Sequence, residues 1–195
     1  MPDTFLERTH GNSSPSGRKG TLSVWVKRTE LGSNQYILGN YNNANNYGYL
    51  KFDTNDNIAH YSNWDTDLQL VTNMKFRDFN GWYHIVLRWD TTQSTSTDRI
   101  RMYVNGTNID DLGGYASYTA PSQNDTIGFF STTNCKFDIG YYRASNNEHL
   151  ESILSHVHVC DGYSYAPTEF GETDSTTGEW KIKAAPSVSY GTNGF

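Results

Sequence analysis

Trp82-Tyr83-His84-Ile85-Val86-Leu87-Arg88-Trp89-Asp90 reads as a strand covered on both sides. Tyr83, Ile85, Leu87 and Trp89 alternate with Trp82, His84, Val86 and Arg88, the two-residue period of a pleated strand. Bulky side chains on each side mark a central strand. The residues after it read as a hairpin: Ile100, Met102 and Val104 share a face, Asn105-Gly106 makes the turn, and Thr107 to Ile109 returns. Both turn positions tolerate positive φ. Before it, Thr21 to Arg28 gathers Leu22, Val24 and Val26 on one face and turns Trp25 to the other, which predicts some cover there too.

Shorter strands are expected at Thr4 to Thr9, Gln35 to Leu38, Tyr47 to Phe52, Ile58 to Tyr61 and Leu68 to Met74. Others are expected at Thr126 to Phe130, Lys136 to Tyr142 and Ile153 to Cys160. Gly39 to Asn46, with five Asn, reads as a loop. No helical periodicity intervenes, so the expected class is all-β, an antiparallel β-sandwich of jelly-roll type. One domain is expected over residues 1–195, with 166–195 a less regular tail that opens on a helical turn at Pro167 to Gly171.

Composition agrees. The 195 residues include 14 Tyr and 5 Trp, with only 18% charged residues. Aromatic residues favour strands; Gly, Asn and Ser favour turns. The net charge of −6 and the lack of a Lys/Arg stripe argue against nucleic-acid binding. No apolar run approaches the roughly 20 residues of a membrane span. Pro2-Asp3-Thr4 lacks the basic and apolar regions of an export signal, so a soluble chain is expected. Cys135 and Cys160 are too few for a disulfide framework. Cys160 ends an apolar run and reads better as a core residue, with a single bridge left open.

Leu22-Ser23-Val24-Trp25-Val26-Lys27-Arg28 and Trp82-Tyr83-His84-Ile85-Val86-Leu87, with Asp90 and Arg101-Met102-Tyr103-Val104-Asn105-Gly106, resemble the laminin G-like branch of the concanavalin A-like superfamily. Leu154 to Gly162, Thr177-Gly178-Glu179-Trp180 and Tyr190 to Phe195 resemble, more narrowly, laminin G-like proteins of marine bacteriophages. The chain departs from the pattern at Ser152, where a small Gly is usual, and at His156, where an acidic residue is common. The resemblance implies a virion structural or attachment protein in capsid decoration, tail or fibre, assembled in the host cytoplasm. Other virion proteins, cell-surface glycans and further copies of the chain would be its partners. A lectin-like carbohydrate-binding module of a cellular protein is the alternative, and a glycoside hydrolase a remote one.

Candidate sites follow from residue type. A glycan site needs an aromatic ring to stack on a sugar, with amides nearby. Asn43, Asn46 and Tyr47 supply these in one loop, Trp64 and Asp65 in a second, and Tyr142 and Asn146 in a third. Calcium, the one cofactor the resemblance suggests, would take hard oxygen ligands on rim loops. Asp65, Asp67 and Asp78 are the candidates for it. His156 and His158 stand two apart on one strand, a spacing that can hold a metal but more often marks strand histidines with hydrogen bonds. His84 is expected to pack or hydrogen-bond beneath a loop. Retaining glycosidases hold two carboxylates about 5 Å apart, on this fold as Glu-x-Asp-x-Glu, and no such motif occurs. The expectation is a protein without catalytic residues.

Overall fold

The computed structural model describes residues 4–11, 14, 16–63, 68–129, 135–144 and 148–195. Among these the strands are β1 (Leu6–Thr9), β2 (Lys19–Arg28), β3 (Gln35–Asn43), β4 (Asn46–Phe52), β5 (Asn57–Asn63), β6 (Leu68–Lys75) and β7 (Tyr83–Asp90). They continue with β8 (Ile100–Val104), β9 (Thr107–Asn108), β10 (Tyr115–Thr119), β11 (Lys136–Ile139), β12 (Ser152–Asp161), β13 (Gly171–Thr173) and β14 (Trp180–Ile182). A seven-stranded sheet runs β1-β11-β3-β4-β5-β6-β10, and a five-stranded sheet runs β12-β2-β7-β8-β9. Every pairing is antiparallel. No helix among the described residues is long and apolar enough to cross a membrane.

Alternation builds the core. Leu22, Val24 and Val26 of β2, Ile85, Leu87 and Trp89 of β7, and Ile100, Met102 and Val104 of β8 meet Leu38, Leu50, Phe52 and Leu70 from the other sheet. Gly20 lies directly under the Trp89 ring, where a Cβ would sit 2.1 Å from the ring carbon Cζ2.

The second side of β2 and β7 is covered as well. Trp25 is buried and stacks on His84 at 4.7 Å. The cover is the 166–195 stretch, which is more ordered than its composition suggests. The expected turn forms at Pro167–Glu169, and β13 and β14 make a hairpin. Trp180 of β14 lies over Gly106, and its indole N–H donates to His84 Nδ1 at 2.9 Å. His84 Nε2 reaches Ser23 Oγ at 2.9 Å, as expected of a histidine beneath a covering segment.

Several expectations are corrected. Thr126 to Phe129 is no strand, and Phe130 lies outside the described residues. Ile127 and Phe129 are buried, which explains their apolar signal. Side chains replace the ladder: the Gly128 N–H donates to Ser62 Oγ, and Asn40 Nδ2 donates to the Gly128 carbonyl. That same Asn40 is buried within β3, so most of the Asn-rich stretch is strand. Strand β10 had no signal because only Tyr115 and Tyr118 pack on the core, and a register shift at Ala116 breaks its period. His156 and His158 do not present one face. A bulge between Ser155 and His158 carries His156 at φ 47°, and the rings stand 6.5 Å apart. Both cysteines are buried thiols with no disulfide between them.

Arg28 is fully buried, with its guanidinium 4.3 Å from the Phe52 ring. Asp56 accepts from Arg28 at 3.1 Å, from Arg77 at 2.7 Å and from the Gly32 N–H at 2.9 Å. Asp56 sits at φ 67°, which Asn also tolerates, so Asp56→Asn removes the charge alone. We expect a loss of about 2 kcal/mol in urea unfolding, below the roughly 3–5 kcal/mol of a fully broken buried pair, because the amide oxygen still accepts a bond. Unchanged stability would remove this ion pair from the account.

Candidate functional site

Strand β4 alternates cleanly. Asn46, Gly48, Leu50 and Phe52 are buried inward, so Tyr47, Tyr49 and Lys51 face out. Register extends this outward row across the sheet. Tyr49 is opposite Gly39 of β3 and Tyr61 of β5, and Tyr61 is opposite Gln69 of β6. Tyr47 is opposite Tyr41, and Lys51 is opposite Tyr36.

One further ring comes from the segment after β11. Tyr142 packs over Gly39, where a Cβ would approach its ring at 3.1 Å and the Tyr141 carbonyl also at 3.1 Å. The absence of a side chain at 39 lets Tyr142 lie down among the sheet tyrosines.

The result is a continuous platform. Tyr49 is central, with ring centroids 4.7 Å from Tyr142, 5.1 Å from Tyr36, 5.3 Å from Tyr61 and 6.0 Å from Tyr47. Tyr36 stacks on Tyr142 at 4.9 Å, and Tyr41 meets Tyr142 edge-on at 6.0 Å. Such tilted and offset pairs are favourable, at about 0.5–1.5 kcal/mol beyond area burial. The rings therefore hold one another in place before any ligand arrives.

Polar groups border the platform at two ends. At one, Lys51 Nζ donates to Asn34 Oδ1 at 2.9 Å, and Asn34 Nδ2 donates to Glu148 Oε1 at 2.8 Å. The Lys51 ammonium also lies 5.0 Å from the Tyr36 centroid and 5.5 Å from that of Tyr49. At the other, Gln69 Nε2 donates to the Tyr61 hydroxyl at 2.6 Å. There Tyr47, Tyr61, Leu68, Gln69 and Thr119 line a depression of about 290 Å³. That is near the lower end of small-molecule pockets, ~300 Å³.

Burial raises the phenols of Tyr36, Tyr49 and Tyr142, reinforced by neighbouring tyrosines. They remain neutral hydroxyls at any physiological pH. Burial also lowers the Lys51 ammonium, against the opposing charges of Glu148 and Asp53. The surface is thus aromatic and hydroxyl-rich, with charge at its borders, at Lys51 and Glu148 and at the Asp138–Arg143 pair.

Of the residues expected from sequence, Tyr47 and Tyr142 come together at 6.5 Å. Asn43 is exposed in the β3–β4 turn, where its side-chain oxygen accepts from the Asn45 N–H. Its partner Asn46 is buried on the inward face, away from any ligand on the platform. Trp64, Asp65, Asp67 and Asn146 lie outside the described residues. The Asp78 carboxylate caps its own turn, accepting from the N–H groups of Asn80 and Gly81. No group of three or more His, Cys, Asp or Glu is placed to hold a metal among the described residues.

Sequence reasoning missed Tyr36, Tyr49, Lys51 and Gln69. The signal for Tyr49 and Lys51 was present: the period that turns Leu50 and Phe52 inward turns Tyr47, Tyr49 and Lys51 outward.

A family model for the Concanavalin A-like lectin/glucanases superfamily matches residues 7–152. No curated protein matches the sequence. Among solved structures, a heptameric SAP-like pentraxin from Limulus polyphemus superposes with TM-score 0.57 at 13% identity, over 96% of this chain and 93% of that one. Domain 4 of an extracellular arabinanase from Geobacillus stearothermophilus, in complex with arabinotriose, gives 0.52 at 16% identity, over 80% of this chain and 65% of that one. Domains LG4-5 of the mouse laminin alpha1 chain give 0.56 at 10% identity, over 96% of this chain and 42% of that one. The chain therefore spans less than two thirds of the length of the last two. At these identities the likeness is one of fold.

Proposed function

The chain belongs to the Concanavalin A-like lectin/glucanases superfamily, and from that premise we propose that it is a non-catalytic glycan-binding module whose binding surface is the tyrosine platform of the seven-stranded sheet. The observation that carries the reading is the contiguity of the rings around Tyr49, at centroid distances of 4.7 to 6.0 Å. A sugar presents an apolar face to such a surface and hydroxyls to the groups beside it. Binding needs aromatic anchors with a few fixed polar groups. The half-buried rings of Tyr47, Tyr49 and Tyr61 supply the first, propped by the buried Tyr36 and Tyr142, and Lys51, Asn34 and Gln69 supply the second.

Two described carboxylates near the platform already have partners. Glu148 accepts from Asn34, and Asp138 accepts two bonds from Arg143, at 3.1 and 2.6 Å. This favours binding over hydrolysis. The arabinotriose-bound arabinanase domain shows that a protein of this fold can carry a sugar ligand. Weak single sites would add through repetition in an oligomer or on a particle.

A glycan array probed with the purified chain tests the proposal. Retention of neutral oligosaccharides supports it. A blank array, or release of reducing sugar from the bound glycans, would overturn it. A second reading places the module on a bacteriophage virion, favoured by the resemblance of Leu154 to Gly162 and of Tyr190 to Phe195. Mass spectrometry of co-purifying proteins distinguishes the two: capsid or tail proteins support a virion component, and their absence supports a cellular lectin.

A further inference from the structure

Strand β12 forms one edge of the five-stranded sheet, and β1 forms the corresponding edge of the seven-stranded sheet. Between them the sandwich is closed along only part of its length. Phe195 closes that part: its N–H and carbonyl exchange hydrogen bonds with Val159 at 2.9 and 2.8 Å, and the Arg8 guanidinium lies 5.3 Å from its ring. The Tyr190 carbonyl also accepts from the Asp161 N–H. Where these residues cover β12, at Val159 to Asp161, the strand is buried.

From Ser152 to Val157 the same strand is partly or fully exposed, with Ile153 52% exposed. Among the described residues, no backbone partner lies on its outer edge there. An open groove of about 520 Å³ runs beside it, lined by Leu6, Ile139, Leu150, Leu154, Val157 and Phe195 among others. None of its described lining residues is Asp, Glu, Lys or Arg. The bulge at His156 shapes it: consecutive residues 154 to 157 all reach the groove, which strict alternation would forbid.

We propose that this groove receives an extended β-strand from a partner protein, which pairs with Ser152 to Val157 of β12 and inserts alternate apolar side chains between the sheets. The ladder for it is already begun. The reciprocal Phe195–Val159 pair is antiparallel geometry on the same edge, and the bare stretch continues directly from it. Strand addition supplies backbone hydrogen bonds for affinity and side-chain pockets for selectivity. The uncharged groove selects an apolar, uncharged strand. A bare edge beside an exposed core is otherwise a site of uncontrolled pairing.

The test uses the whole chain and an acetylated, amidated peptide of alternating valine and threonine, with a glycine–serine peptide of equal length as control. Hydrogen exchange at the amides of Ser152 to Val157 should slow at least tenfold with the valine–threonine peptide and not with the control. A second variant fuses each peptide directly after Phe195, so that low affinity in solution cannot hide the effect. Leu154→Lys should abolish the protection in both formats while the amides of β7 exchange as before. Unchanged exchange in the fused chain would overturn the proposal. So would protection that survives Leu154→Lys, or a dimer of the unmodified chain that already covers these amides.

Discussion

Lowering the pH from 7.5 to 5 is expected to remove much of the domain's stability, before ordinary carboxylates begin to titrate. The cause is a set of buried histidines held neutral. His60 is fully buried against the Phe129 ring at 5.4 Å. Its Nδ1 lies 2.9 Å from the Tyr49 carbonyl, an acceptor, so Nδ1 carries the proton. No hydrogen-bond partner awaits a second proton on Nε2 among the described residues. His84 accepts at Nδ1 from Trp180, because an indole can only donate, so its proton sits on Nε2 towards Ser23. His10 is buried beside Phe137.

Burial pushes His60 and His10 down to about 4 and His84 to about 3, with Arg8 adding to the effect at His10 and His158 at His84. The sign follows from linkage. The unfolded chain takes up these protons near the ordinary value of about 6.5 and the folded one does not, so stability is full above that value and falls as the pH drops. Each histidine then costs about 2 kcal/mol by pH 5, against a total of roughly 5–15 kcal/mol. Below their own folded values the loss levels off. Burial raises the carboxyls of Asp138 and Asp161, which act in the opposite sense at lower pH. Urea midpoints measured from pH 7.5 to 5 check the expectation. A flat or rising profile would mean that these imidazoles find proton acceptors in the folded chain.

The second large effect concerns binding. Tyr49→Ala should weaken the best ligand of the glycan array at least about a hundredfold, the roughly 2.7 kcal/mol of a central hot spot. Tyr49 touches the rings of Tyr36, Tyr47, Tyr61 and Tyr142, so its removal opens the middle of the platform and frees its neighbours. Tyr49→Phe keeps the ring and should lose less than tenfold. The Ala variant should still unfold cooperatively, because Tyr49 projects from the outer face while Leu50 holds the core. Isothermal titration of both variants separates stacking from hydroxyl contacts. Equal affinity of Tyr49→Ala and the parent chain would place the ligand elsewhere.

The sandwich was legible because burial and period agree at its centre. Ile85, Leu87 and Trp89 alternate in the sequence and are all buried in the core. Ile127 and Phe129 show where the inference stops. Their apolar spacing reports burial, yet the backbone of Gly128 between them is satisfied by Ser62 and Asn40 rather than by a ladder. Strand β10 is the converse, a ladder whose side chains stay half wet. The candidate site was half legible. Tyr47 and Tyr142 stood out among polar neighbours, but Tyr36, Tyr49 and Tyr61 join them only through the register of β3, β4 and β5. Which strands lie side by side is a long-range fact, and no local spacing contains it. Nor did any pattern foretell that Gly39 leaves room for Tyr142.

Chain labelled with carbon-13 at the tyrosine rings, titrated with the best neutral oligosaccharide of the array, puts the platform to its most direct test by nuclear magnetic resonance. The signals of Tyr47, Tyr49, Tyr61 and Tyr142 should shift together along one saturating curve, while Tyr103 and Tyr163 stay still. Shifts confined to tyrosines outside the platform, or none at saturating ligand, would contradict the assignment of this face as the sugar-binding surface.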